Sequence, residues 1–169
     1  MLRSLVGSEM CIRDRFKYTH GTPFRRAIEE NLIDPKKYVM LGIRGSLYDP
    51  DDLTWAREQG VTIITIDNYY EMGIENVIKK IISVLQDIPT YITFDIDSFD
   101  LSLMPATGTP EPGGLFWDET INIIKIVSKI SNIVGADINE LAPIKGFPGY
   151  NFLAAKLAYK ILSYKFLYK

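Results

Sequence analysis

The sequence predicts an α/β fold: a mostly parallel sheet with helices on both faces. Three observations carry that prediction. Short apolar runs of strand length alternate with amphipathic helical stripes. The strands are joined by helices, the crossover that parallel pairing requires. The chain has 169 residues, 47% of them hydrophobic, enough for one substantial core and a single domain.

The elements follow in chain order. Thr22-Pro23 opens a helix, with Thr placed to accept from orphan amides and Pro tolerated at the first helical position. Phe24, Ala27, Ile28 and Leu32 continue it at helical spacing until Pro35. Tyr38–Ile43 reads as a strand ended by Arg44-Gly45. Asp51–Gln59 reads as a short helix closed by Gly60, a left-handed position. Val61–Ile66 is a β-branched strand, and Ile74–Leu85 carries the stripe Val77, Ile78, Ile81, Ile82 and Leu85. Tyr91–Phe94 is a strand. Asp118–Ile130 is a helix capped by Asp118, with Ile123, Ile126, Val127 and Ile130 inward. Ile133–Ile138 is the last strand. Asn151–Leu167 is the last helix, with Leu157, Ala158, Ile161 and Leu162 on one face and Lys156, Lys160 and Lys165 on its solvated side. The one long irregular stretch is Ser98–Gly114, whose Pro and Gly content favours rigid turns.

Met1–Arg15 (MLRSLVGSEMCIRDR) stands apart from this pattern. It shows neither helical nor strand periodicity, and it lacks the features of a secretory or transit signal. SLVGSEMCIRDR resembles a run that recurs when sequencing-adaptor reads are translated, so residues 1–15 are excluded as a non-native segment. Without them 16 basic and 19 acidic residues remain, and no cysteine.

Composition excludes several classes of function. A net charge of −2 gives no electrostatic footprint for nucleic acid or an anionic membrane. The Gly42–Gly45 GxxG spacing is therefore a weak match to an RNA-binding loop. No apolar run reaches bilayer-spanning length, and the chain reads as soluble and cytoplasmic. One cysteine excludes a disulfide framework. With one histidine, His20, catalysis or metal binding must lean on carboxylates.

In open parallel sheets, ligands bind beyond the carboxyl ends of strands. Tyr91–Phe94 runs into Asp95-Ile96-Asp97, with Asp100 three residues on, and Ile133–Ile138 runs into Asn139-Glu140. Strand alternation would turn Asp95 and Asp97 to one side, where they repel each other unless a cation or hydrogen bonds compensate. Equally, Asp97 and Asp100 can be turn residues, with Asp95 capping the strand. A strand-end Asp-x-Asp also serves phosphoryl transfer, but of the further groups that chemistry wants only Glu140 is convincing. His20 lies in the loop that opens the first helix, accessible for proton transfer.

These residues carry a family likeness. Phe94–Gly114 (FDIDSFDLSLMPATGTPEPGG) resembles the signature of the ureohydrolases, the arginase and agmatinase family. His20–Ala27 (HGTPFRRA) followed by Leu41–Ser46 (LGIRGS) is similar to the agmatinase branch, and Gly135-Ala136-Asp137 leading to Glu140–Pro143 to the family's last active-site segment. The resemblance implies a three-layer α/β/α fold and two Mn2+ ions bridged by a hydroxide. It implies that Asp95 bridges the metals, Asp97 ligates one of them, His20 shuttles a proton, and Glu140 and Thr109 serve the substrate. The implied substrate is a guanidino compound, agmatine first, with arginine, guanidinobutyrate or a formimino compound as alternatives. The implied assembly is a homo-oligomer, a trimer or hexamer. The family's remaining ligands lie in histidine-bearing and Asp-x-His-x-Asp segments upstream of the HGTPFRR region. Residues 16–169 are thus expected to be the C-terminal part of a single ureohydrolase domain, with the opening of the fold missing. These 169 residues alone should bind metal weakly and turn over negligibly. The rival class is a non-catalytic α/β domain that binds or assembles.

Overall fold

The computed structural model describes residues 2–4, 18, 22–45 and 53–168. Five parallel strands form one sheet: β1 (Leu2–Ser4), β2 (Val39–Ile43), β3 (Thr62–Thr65), β4 (Pro89–Asp95) and β5 (Asn132–Asn139), in the order β3-β2-β1-β4-β5. The helices are α1 (Pro23–Glu29), α2 (Thr54–Glu58), α3 (Ile66–Met72), α4 (Ile74–Leu85), α5 (Trp117–Ile130) and α6 (Pro148–Leu167).

The order explains the layering. From β1 the chain moves outward to β2 and β3, then returns to the other side of β1 for β4 and β5. Right-handed crossovers running in opposite directions put their helices on opposite faces. Accordingly Ile28 of α1 and Ala56 of α2 pack with Met40 and Ile43 on one face. On the other, Val77 and Ile81 of α4, Ile123 and Val127 of α5, and Leu157 and Ile161 of α6 pack with Val39, Leu41, Ile92 and Phe94. Alternation along each strand supplies both cores, which is why β2 is apolar at all five positions.

The predicted strands and crossovers are present, with several corrections. The structure gives Leu2–Ser4, within the segment set aside, a strand paired with both β2 and β4. Strand β3 stops at Thr65, whose side chain accepts from Asn68 N at 3.2 Å and starts α3, a helix absent from the sequence reading. Its signal is an N-cap threonine inside a β-branched run. Asp118 lies in the first turn of α5 rather than at its cap. Phe116 holds that position, its N–H directed at Glu119. The first helix ends at Glu29, ahead of Leu32, and opens without a side-chain cap at Thr22. On α6, Ala154, Leu157 and Ile161 are buried, whereas Leu162 is 55% exposed. Lys165 is not merely solvated, since its Nζ donates to Ile133 O at 2.7 Å. As predicted, Gly60 follows α2 with φ 95° and Ser98–Gly114 is irregular.

Candidate active site

The reversal of strand order places the switch crevice at the carboxyl ends of β1 and β4. Asp95 is the last residue of β4. The chain then turns through a 3-10 helix, Ile96–Ser98, so Asp97 is presented by that turn and not by strand alternation. Both aspartates are 2% exposed.

The three acids of the Asp95–Asp100 run differ in their partners. Asp100 is saturated. Its Oδ1 accepts from Ser102 N at 2.9 Å and from the Ser102 hydroxyl, and its Oδ2 from Gly113 N at 2.6 Å and Gly114 N at 3.1 Å. The Ser102 hydroxyl bond chiefly holds its pKa below the usual carboxylate range, aided by those backbone amides. Asp100 is therefore the turn residue of the set. Asp97 is the opposite: Oδ2 accepts from Thr109 Oγ1 at 2.9 Å, while Oδ1 is buried with no hydrogen-bond partner among the described residues. Burial pushes the Asp97 carboxyl up to about 7. The Thr109 bond and Arg44 oppose that rise, and the Asp95 and Glu140 carboxylates add to it. A buried carboxyl oxygen without a donor among the described residues, in the field of two more carboxylates, suits a cation.

Glu140 follows β5 with φ 65°, a left-handed conformation that costs a non-glycine residue roughly 1 kcal/mol or more. The adjoining chain is pinned beside the 98–114 loop by the Thr107–Leu141 bridge and by Ala142 N donating to Ala106 O at 2.8 Å. That contact holds the segment after β5 against the loop, and the Glu140 carboxylate bears on Asp97. Thr109, expected beside the substrate, is exposed and bonded to Asp97. His20 lies outside the described residues. Among the described residues there is no group of three or more His, Cys, Asp or Glu able to hold a metal. Asp95 and Asp97 supply carboxylate oxygens, the donor type that Mn2+ takes.

Two residues, one placed by the sequence at a strand end and one in a motif, make contacts that the sequence does not reveal. Arg44 reaches from the end of β2 across to the 98–114 loop, and a lone arginine gives no signal of where it points. Asp137 accepts from Thr93 Oγ1 at 2.6 Å and from the Asn139 side-chain amide, and it raises the pKa of Tyr91 through a hydrogen bond. Asp137 was noted only as part of a motif.

The arginase family model matches residues 12–163, and the chain belongs to this family. Guanidinopropionase of Pseudomonas aeruginosa is 44% identical over 126 residues, covering 75% of this chain and 39% of that protein. Agmatinase of Chromobacterium violaceum is 41% identical over 125 residues, 73% of this chain and 36% of that protein. The solved structure of proclavaminate amidino hydrolase from Streptomyces clavuligerus superposes with a TM-score of 0.84 at 34% identity, covering 96% of this chain and 55% of that one. The chain therefore has the arginase-type α/β fold and spans about half the length, or less, of these relatives. Among the described residues no helix is long and apolar enough to cross a membrane.

Proposed function

We propose that the protein hydrolyses a guanidino compound to urea and an amine, with agmatine as the first substrate to test. The observation that carries this reading is Asp97 beside Asp95: a buried, partnerless carboxylate oxygen at the switch crevice of an arginase-family fold. Asp95 and Asp97 would hold Mn2+ together with donors beyond this pair. When bound, the metal lowers the pKa of water so that water can attack the guanidinium carbon at neutral pH.

The chain's own residues then have distinct tasks. Glu140, set on a strained backbone at the rim, receives the guanidinium through two parallel charge-assisted bonds. Thr109 holds one oxygen of Asp97 and leaves the other for the cation. His20 delivers a proton to the departing amine as the carbon–nitrogen bond breaks. Water supplies the urea oxygen, so the products balance without a further reactant. The relatives named above act on different guanidino compounds by their names, which supports the class more strongly than agmatine itself. A cytoplasmic homo-oligomer, trimeric or hexameric, completes the reading.

The test is urea release from agmatine, 3-guanidinopropionate, 4-guanidinobutyrate and arginine by the complete polypeptide that carries this sequence. Glu140→Ala should raise KM at least tenfold with bound Mn2+ unchanged. Unchanged kinetics would remove Glu140 from the site, and no urea from any of the four would reject the proposed activity.

A further inference from the structure

The buried cation beside the aspartates forms no ion pair with them among the described residues. Arg44 is 8% exposed and lies just beyond β2. Its Nη2 donates to Asp97 O at 2.8 Å, Phe99 O at 3.0 Å and Glu111 O at 2.8 Å. Its Nε donates to Pro112 O at 3.1 Å and its Nη1 to Ser98 O at 3.4 Å. All five acceptors are main-chain carbonyls, drawn from both legs of one loop: residues 97–99 leaving β4 and residues 111–112 returning. A guanidinium serving only to balance charge would pair with a carboxylate. This one takes the carbonyl of Asp97 and leaves that residue's carboxylate turned elsewhere, toward Thr109.

Asp100 performs the complementary task from inside the loop, collecting the amides of Ser102, Gly113 and Gly114. One cation gathers carbonyls and one anion gathers N–H groups, so the base of the loop is closed from both sides. Tyr70 adds a third tie, its hydroxyl donating to Gly114 O at 2.8 Å.

We infer that Arg44 is a positioning residue: by fixing the main chain of residues 97–99 and 111–112 it sets the Asp97 carboxylate in place to receive the metal. The inference rests on reading Asp97 as a metal ligand. Each of its three guanidinium nitrogens donates to a main-chain carbonyl of the loop, the arrangement of a group that holds backbone rather than substrate. Lysine cannot replace it, because a single ammonium cannot span acceptors spread over both legs of the loop.

The experiment compares wild type, Arg44→Ala, Arg44→Lys, Asp100→Asn and Asp97→Asn in the complete polypeptide. Mn2+ binding is followed by loss of the free-ion EPR signal, and hydrogen exchange is read peptide by peptide. Both Arg44 variants and Asp100→Asn should bind Mn2+ at least tenfold more weakly. In all three, exchange should rise within residues 98–114 and stay unchanged in β2, β3 and α4. Asp97→Asn should lose binding with the loop still protected. If Arg44→Ala does not fold, Arg44→Lys and Asp100→Asn carry the comparison. Wild-type affinity in either Arg44 variant would overturn the inference while leaving the metal reading intact. Equal binding by wild type and Asp97→Asn would overturn the metal reading, and the inference with it.

Discussion

The loop after β4 and the outer margin formed by β5 and α6 are built on opposite terms. In the loop, charged and hydroxyl side chains reach into the backbone: Arg44, Asp100 and Tyr70 tie down carbonyls and amides at both of its ends. Along β5, which pairs only with β4 among the described residues, the side-chain hydrogen bonds run mostly between Thr93, Asp137 and Asn139, and the margin is partly open, with Val134 53% exposed. A group held by backbone geometry has no alternative placement, whereas a group held by neighbouring side chains can shift with them. Tolerance to substitution should therefore differ sharply between the two regions, and the difference locates the part of the molecule where placement matters chemically.

Two glycines make the sharpest contrast. A Cβ at Gly114 would lie 2.4 Å from Asp100 N and 2.5 Å from Phe99 C, both backbone atoms of the loop. Gly114→Ala should cost roughly 4 kcal/mol or more, read from denaturant unfolding, because neither atom can move without breaking the Asp100 bonds. A cost under about 1 kcal/mol would show the loop to be far softer than its hydrogen bonds imply.

Next in size is the response to pH. The folded protein holds a proton on Asp97 up to about 7, against 3.8 for an ordinary aspartate. Between those values the folded state binds more protons than the unfolded one, so metal-free stability should fall as pH rises from about 4 to 7. Asp97→Asn should flatten that profile, gaining on the order of 2–3 kcal/mol over wild type at pH 8 in chelator. Parallel profiles for the two proteins would mean that Asp97 is not held protonated. Asp100 has the opposite sign. Its depressed pKa makes its contribution present above about 4 and lost as pH falls through the lowered value.

At the β5 margin the effects should be small. A Cβ at Gly135 would meet the Tyr91 ring at 2.7 Å, but that ring is 38% exposed and can swing outward at the cost of its hydroxyl's bond to Asp137. Gly135→Ala should cost about 1 kcal/mol or less by thermal unfolding. Val134→Thr should stay within about 0.5 kcal/mol of wild type. A large loss at either position would erase the distinction between the two regions.

The same contrast separates what was legible in the sequence from what was not. The strands β2 to β5 and the helix α4 follow from local apolar periodicity, which acts over a few residues and survives folding. Asp95, Asp97 and Glu140 are visible because strand ends in a parallel sheet are where side chains converge. The roles within the run Asp95–Asp100 were not legible, because spacing does not tell a saturated aspartate from one with a bare oxygen. That distinction depends on Gly113 and Gly114, more than twelve residues away. Arg44 is hidden for the same reason: its partners are carbonyls, which every residue has, 53 to 68 positions along the chain. Helix α3 was missed because Thr65 serves both as the end of a β-branched strand and as a helix cap.

The central claim is that the oxygen left open on Asp97 is a metal position for guanidino hydrolysis. Its most direct test is the Mn2+ requirement for urea formation by the complete polypeptide, compared between wild type and Asp97→Asn. The account predicts Mn2+-dependent urea release that falls at least a hundredfold in the variant and is not restored by excess metal. Urea release by Asp97→Asn at the wild-type rate and with the wild-type Mn2+ dependence would contradict it.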